Sequence, residues 1–163
     1  MITRGGLAHL GMMLILLMLA SPPLSHAGET GKPSSRVIYI PAPKVHEAFA
    51  KGAVLVGKEE SMMHAGRNYM VHASRRDAPG MAEIHELDTD IIYVLEGTAT
   101  LVTGGTAVDA KPIADPHEIR GPSIKDGQSR RLVKGDVIII PNTVPHWFQE
   151  VKEPFKYFVV KVR

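Results

Sequence analysis

From residue 68 onward the chain is a ladder of short β-type runs cut by turn signals, and this most limits what it can fold into. Residues 68–74 (NYMVHAS) end at Arg75-Arg76-Asp77-Ala78-Pro79-Gly80. Residues 82–86 (AEIHE) end at Leu87-Asp88-Thr89. Residues 90–96 (DIIYVLE) turn at Gly97 into residues 98–103, which meet Gly104-Gly105. Residues 130–133 turn at Lys134-Gly135 into residues 136–140 (DVIII), which stop at Pro141. Residues 146–151 and 155–162 (FKYFVVKV) finish the chain. Short strands at regular spacing with Gly and Pro turns predict an all-β sandwich or barrel. The stretch 104–128 is rich in Gly, Pro and Asp and reads as a long irregular insert of the kind that carries function. No internal repeat of fixed period is present.

Ahead of the ladder, residues 37–40 (VIYI) read as one more short strand. Residues 43–51 read as an amphipathic helix, with Pro43 near its start, Val45, Ala48 and Phe49 on one face, and Gly52 as a stop. Residues 28–35 are a loose Gly/Ser/Lys/Pro leader. The predicted division is residues 1–27, 28–66 and 67–163: a signal peptide, an N-terminal segment with a short strand and helix, and a barrel.

The first of these rests on an apolar run, residues 10–20 (LGMMLILLMLA), behind a short start carrying Arg4. Ser25-His26-Ala27 follows with small residues at the −3 and −1 positions. Together these describe a secretory signal peptide cleaved after Ala27. The run is short of the ~20 apolar residues of a membrane-spanning helix. The expectation is a periplasmic or secreted protein with no stable membrane anchor after cleavage.

Composition excludes several classes. The chain has no cysteine, which rules out a disulfide scaffold, an iron–sulfur cluster, a thiolate zinc site and a Cys nucleophile. Lys and Arg number 19 against 17 Asp and Glu, for a net charge of +2. The charges are interspersed, so the basic footprint of a nucleic-acid binder is missing. No G-x-S-x-G, P-loop or dinucleotide glycine pattern occurs. A small molecule is the expected partner.

The residues able to carry chemistry fall in two segments. Glu83 and His85 sit at i and i+2 of a strand and project from one face. Asp90 opens the next strand and can meet them from there. A second segment, Gly135 to Pro141, leads to His146, which comes from a strand distant in sequence. Taken singly, His85 reads first as a half-buried strand histidine, Asp90 can simply cap its turn, and Glu83 can be a surface residue. The joint spacing is what sets them apart.

That spacing resembles the cupin superfamily. One cupin motif reads G-x5-H-x-H-x3/4-E-x6-G and the other G-x5-P-x-G-x2-H-x3-N. In the second, Gly135, Pro141 and His146 match, Thr143 stands for Gly and Glu150 for Asn. In the first, His85 matches the second His, Asp90 replaces Glu, Gly97 follows six residues later, and Glu83 stands at the first His. The resemblance spans residues 67–162. It implies a double-stranded β-helix, or jelly roll, which would follow the one short N-terminal helix at residues 43–51. It also implies a divalent metal (Fe, Mn, Ni or Zn) held by His85, Asp90 and His146, with Glu83 a fourth ligand. Two imidazoles and a carboxylate leave coordination positions open for water, substrate or dioxygen. Two outcomes stay open: a metal-dependent oxygenase, isomerase or lyase, or a metal-free barrel that binds a small ligand. His72, Tyr93 and Trp147 are candidate ligand-binding residues. His117 and Arg120, in the insert, can close over a ligand. Residues 37–40 and 155–162 are candidate edge strands for a homodimer.

Overall fold

The computed structural model describes residues 37–57, 67–114 and 117–163. The signal-peptide and leader expectations, residues 1–35, lie outside the described residues. Among those described, no helix is long and apolar enough to cross a membrane.

Among the described residues one helix, α1 (Ala42–Lys51), is followed by eleven strands. These are β1 (Ala53–Val56), β2 (Tyr69–Arg76), β3 (Ala82–His85), β4 (Thr89–Thr103), β5 (Thr106–Val108), β6 (Lys111–Pro112), β7 (Glu118–Gly121), β8 (Ser123–Lys125), β9 (Gln128–Leu132), β10 (Val137–Ile140) and β11 (His146–Val162). The architecture is the expected all-β jelly-roll barrel with one short helix.

Two long antiparallel strands, β4 and β11, run beside each other from His146↔Thr103 to Val162↔Thr89 and organise the barrel. Each takes different neighbours along its length. One wing has the order β1-β2-β11-β4-β10 and the other β6-β7-β3-β11-β4-β9. Each long strand must therefore bend between wings. In β4 the bend lies at Gly97, with φ 78°. A Cβ there would lie 2.7 Å from the Pro154 carbonyl oxygen, so glycine answers both the backbone conformation and the close approach. The bend also switches the inward face. Asp90, Ile92 and Val94 are buried before it, Ala99 and Leu101 after it. β11 makes the same switch, from His146 and Phe148 to Phe155, Tyr157 and Val159, across register shifts between Phe148 and Lys156. An extra residue in one strand of a pair has this effect, because side chains alternate with period two.

Several sequence expectations are corrected here. Residues 37–40 form no strand. Gly97 does not end a strand; residues 90–103 continue through it. Residues 146–151 and 155–162 are likewise one strand. The insert is not irregular, since β5 pairs with β8 and β7 pairs with β3 and β6. Strand β1 was not expected. Residues 155–162 are no edge, because β2 flanks them on one side and β4 on the other; their backbone groups are already paired and cannot join a second copy.

The core packs Ile92, Val94, Leu101, Leu132, Ile140, Phe148 and Phe155. Phe148, Phe155 and Tyr157 lie with ring centroids 5.2–5.6 Å apart, a spacing that suits offset aromatic contact. Helix α1 lies outside the barrel, where Phe49 meets Phe158 edge-on at 5.3 Å.

Candidate functional site

A cavity of about 400 Å³ opens beside this core. Most of its wall follows from strand alternation. Met70, His72, Ser74 and Arg76 come from alternate positions of β2, Glu83 and His85 from β3, Asp90 and Ile92 from β4, Glu118 and Arg120 from β7, and His146 and Phe148 from β11. The far part of β11 adds Tyr157, Val159 and Lys161. Ile92, Phe148, Tyr157 and Val159 also belong to the core or its aromatic cluster, so one side of the cavity is apolar and rigid while the other is charged.

The motif residues converge. His146 stands opposite Glu83 across the β11–β3 ladder. Glu83 Oε2 lies 3.9 Å from both His85 Nε2 and His146 Nε2. Asp90 Oδ2 lies 3.5 Å from His85 Nε2 and 4.0 Å from His146 Nε2. The two imidazole centroids are 5.0 Å apart. His85, Asp90 and His146 are all buried, at 7%, 5% and 3% exposure.

The hydrogen bonds fix both tautomers. His146 Nδ1 is 3.2 Å from the Val144 carbonyl. A carbonyl only accepts, so Nδ1 carries the proton and Nε2 turns its lone pair to the cavity. His85 Nε2 is 2.7 Å from the Lys161 ammonium. An ammonium only donates, so Nε2 is again the unprotonated nitrogen. Lys161 reaches Asp90 as well, at 2.8 and 3.1 Å to its two oxygens.

The charges are compensated pair by pair. Burial would raise the Asp90 carboxyl, but the His85 ring when protonated, together with Lys161, holds it down to about 2. Burial also opposes ionisation of Glu83, yet Arg76, His146 and Arg120 keep its carboxyl below the usual range. Burial, then the neighbouring His85, lowers His146. Burial, then Lys161, lowers His72. Arg76 donates to the Tyr157 hydroxyl at 3.0 Å and to Glu83 at 3.5 Å, and its guanidinium lies 4.6 Å from the Phe148 ring centroid. Arg120 donates to Glu118 at 2.6 Å.

Glu83, His85 and His146 can hold a metal ion, since they offer ligand atoms within 4.8 Å of one another. An ion bonded at about 2.1 Å spans donors up to about 4.2 Å apart, which includes both 3.9 Å separations from Glu83. The Val144 carbonyl behind His146 is the outer partner that orients an imidazole ligand. Asp90 stands beside this trio, engaged by Lys161.

Of the other candidates, His72 lines the cavity, and its Nε2 is buried without a hydrogen-bond partner. His117 and Arg120 also line it. Tyr93 and Trp147 do not, which corrects their assignment. Each is adjacent in sequence to an inward residue, Ile92 or His146, and neighbours along a strand face opposite ways. Tyr93 is 46% exposed on the outer face, and Trp147 donates instead to the Gly80 carbonyl at 2.7 Å. Lys161 and Arg76 were not singled out from sequence. Both were findable by alternation, Lys161 on the face of Phe155, Tyr157 and Val159, and Arg76 on that of His72.

Comparisons with known proteins bear on the family and the fold. The cupin family profile matches residues 65–163. Protein BH2720 from Bacillus halodurans is similar at 12% identity over 81% of this chain and 86% of that one, with a TM-score of 0.50. The DMSP lyase DddQ from Ruegeria pomeroyi is 16% identical over 69% of this chain, with a TM-score of 0.44, and the match spans 46% of that enzyme. KdgF from Halomonas sp. is 14% identical over 68% of this chain and 77% of that one, with a TM-score of 0.45. No curated protein matches by sequence. The cupin profile covers more than half the chain, over the same residues that build the cavity, and the chain belongs to the cupin family.

Proposed function

We propose that the protein is an exported single-domain cupin that binds a divalent metal ion in the barrel through Glu83, His85 and His146, with Asp90 beside them, and binds or acts on a small molecule there. The observation that carries this is the convergence of two imidazole lone pairs and one carboxylate at the wall of a partly charged cavity. Nitrogen and oxygen donors without sulfur suit Fe, Mn, Ni or Zn. When bound, such an ion supplies Lewis acidity and open coordination positions. The chain's own residues do the rest. Val144 orients His146, Arg76 holds Glu83, and the wall of Ile92, Phe148 and Val159 limits water on one side. Arg76 and Arg120 give that molecule cationic partners, which favours one bearing a carboxylate or other anion.

A second function has its own support. Lys161 already engages His85 Nε2 at 2.7 Å, which favours a metal-free cavity that binds a small ligand without catalysis.

The protein from Gly28 onward, purified without a His tag, decides between them by elemental analysis. Stoichiometric metal, lost in His85→Ala and in His146→Ala, supports the first. No metal after reconstitution with Fe, Mn, Ni and Zn leaves the second. Export is tested separately, by N-terminal sequencing of protein recovered outside the cytoplasm; a start at Gly28 supports cleavage after Ala27.

A further inference from the structure

The cavity carries its own cation within the ligand cluster. Lys161 is directed there by its register, opposite Asp90 on one side and Met70 on the other. Its side chain is 14% exposed. Three ammonium protons meet three acceptors: His85 Nε2 and the two oxygens of Asp90. The first is one of the nitrogens a metal would need. An imidazole nitrogen has one lone pair, so it cannot accept from Lys161 and bind a metal ion at the same time.

The surrounding charges leave little for a further cation. Asp90 is paired with Lys161. Glu83 lies 3.5 Å from Arg76 and stands opposite Arg120 in the ladder. Glu118 is paired with Arg120. A divalent ion entering among Glu83, His85 and His146 must displace the ammonium from His85 and then remain near its charge, with the repulsion that follows.

We infer that Lys161 is the resident cation of this cluster, and that its ammonium, by occupying His85 Nε2, sets how weakly the cavity takes a divalent metal ion. This builds on the metal-binding proposal above, but it can stand without it. It makes Lys161 a positioning residue that shifts affinity through His85, and it predicts that a neutral side chain at 161 opens the cluster to metal.

Calorimetric titration of the full chain with Zn²⁺ and with Mn²⁺ tests this, using the parent, Lys161→Met and Lys161→Arg. Lys161→Met is expected to bind at least tenfold more tightly than the parent, and Lys161→Arg, which keeps the charge, within about threefold of it. If the parent shows no binding and Lys161→Met does, the inference holds while native metal binding fails. If the parent binds and Lys161→Met binds equally or more weakly, the inference fails while native metal binding stands. If neither binds, both fail. If Lys161→Arg tightens as much as Lys161→Met, the charge is not the cause and the inference fails. Thermal melts check folding. Should Lys161→Met not fold, Lys161→Gln carries the same expectation, and a Gln variant no tighter than the parent overturns it.

Discussion

Lys161 and Asp90 face each other directly across the β4–β11 ladder, and the lysine ammonium reaches both carboxylate oxygens, at 2.8 and 3.1 Å. Both side chains are largely buried, so each depends on the other. Removing one partner of a buried pair costs more than the pair contributes, because the remaining charge is left without compensation. Asp90→Asn is therefore expected to lose about 3 kcal/mol, read as a lower urea midpoint with unchanged slope. An unchanged midpoint would show that water replaces the carboxylate at no cost.

The surroundings of Asp90, His85 first and then Lys161, give the metal-free protein a defined acid limit. The Asp90 carboxyl titrates near 2 in the folded chain against an ordinary 3.8. A carboxyl lowered by folding contributes stability in full above its unfolded value and loses it as pH falls through the folded one. The contribution, about 2 kcal/mol, should be intact above pH 3.8 and gone below about pH 2. Urea unfolding of the parent and Asp90→Asn across pH 2–5 should converge at the acid end. Parallel curves would mean that Asp90 is not the group responsible.

The motif residues were legible in the sequence because cupin spacing is linear, and the spacing brought Glu83, His85, Asp90 and His146 to one cavity. What surrounds them was less legible. Tyr93 and Trp147 each stand next to an inward residue in sequence, and period-two geometry sends each to the other face. Lys161 was passed over because residues 155–162 read as an apolar edge, whereas pairing on both sides makes them a central strand. Edge and centre differ only in long-range partners, which no local pattern records. The bends were hidden for a related reason: Gly97 looks like a strand end until the Pro154 carbonyl packed against it is known.

That contact makes Gly97→Ala informative. The substitution places a Cβ at positive φ and 2.7 Å from the Pro154 carbonyl oxygen. Strain of this kind costs about 1–3 kcal/mol, and a forced shift of β11 adds to it. We expect a loss of about 3 kcal/mol in urea unfolding. A loss below about 1 kcal/mol would show that β4 bends without needing glycine.

Phe155 is fully buried at the same bend, against Phe148 and Tyr157. Phe155→Ala should cost about 3–5 kcal/mol. The cavity wall beside it should loosen too, seen as faster amide exchange at Tyr157 and Val159. Destabilisation without faster exchange there would separate the core from the cavity.

Metal binding, where it occurs, should have a pH dependence to which His146 contributes. A ligand imidazole must be neutral, so protons compete with metal. Burial and the nearby His85 lower His146 below the ordinary 6.5, which keeps it neutral further into acid than a surface histidine. The sign follows directly: affinity should be level above pH 6.5 and should fall only below it. His146 acts from inside the barrel with Nδ1 held by Val144, so His146→Gln, which loses the imidazole, should cost at least tenfold in affinity. Calorimetric titrations between pH 5 and 8 measure both. A parent affinity already declining between pH 8 and 7 would place the controlling proton on a group other than His146.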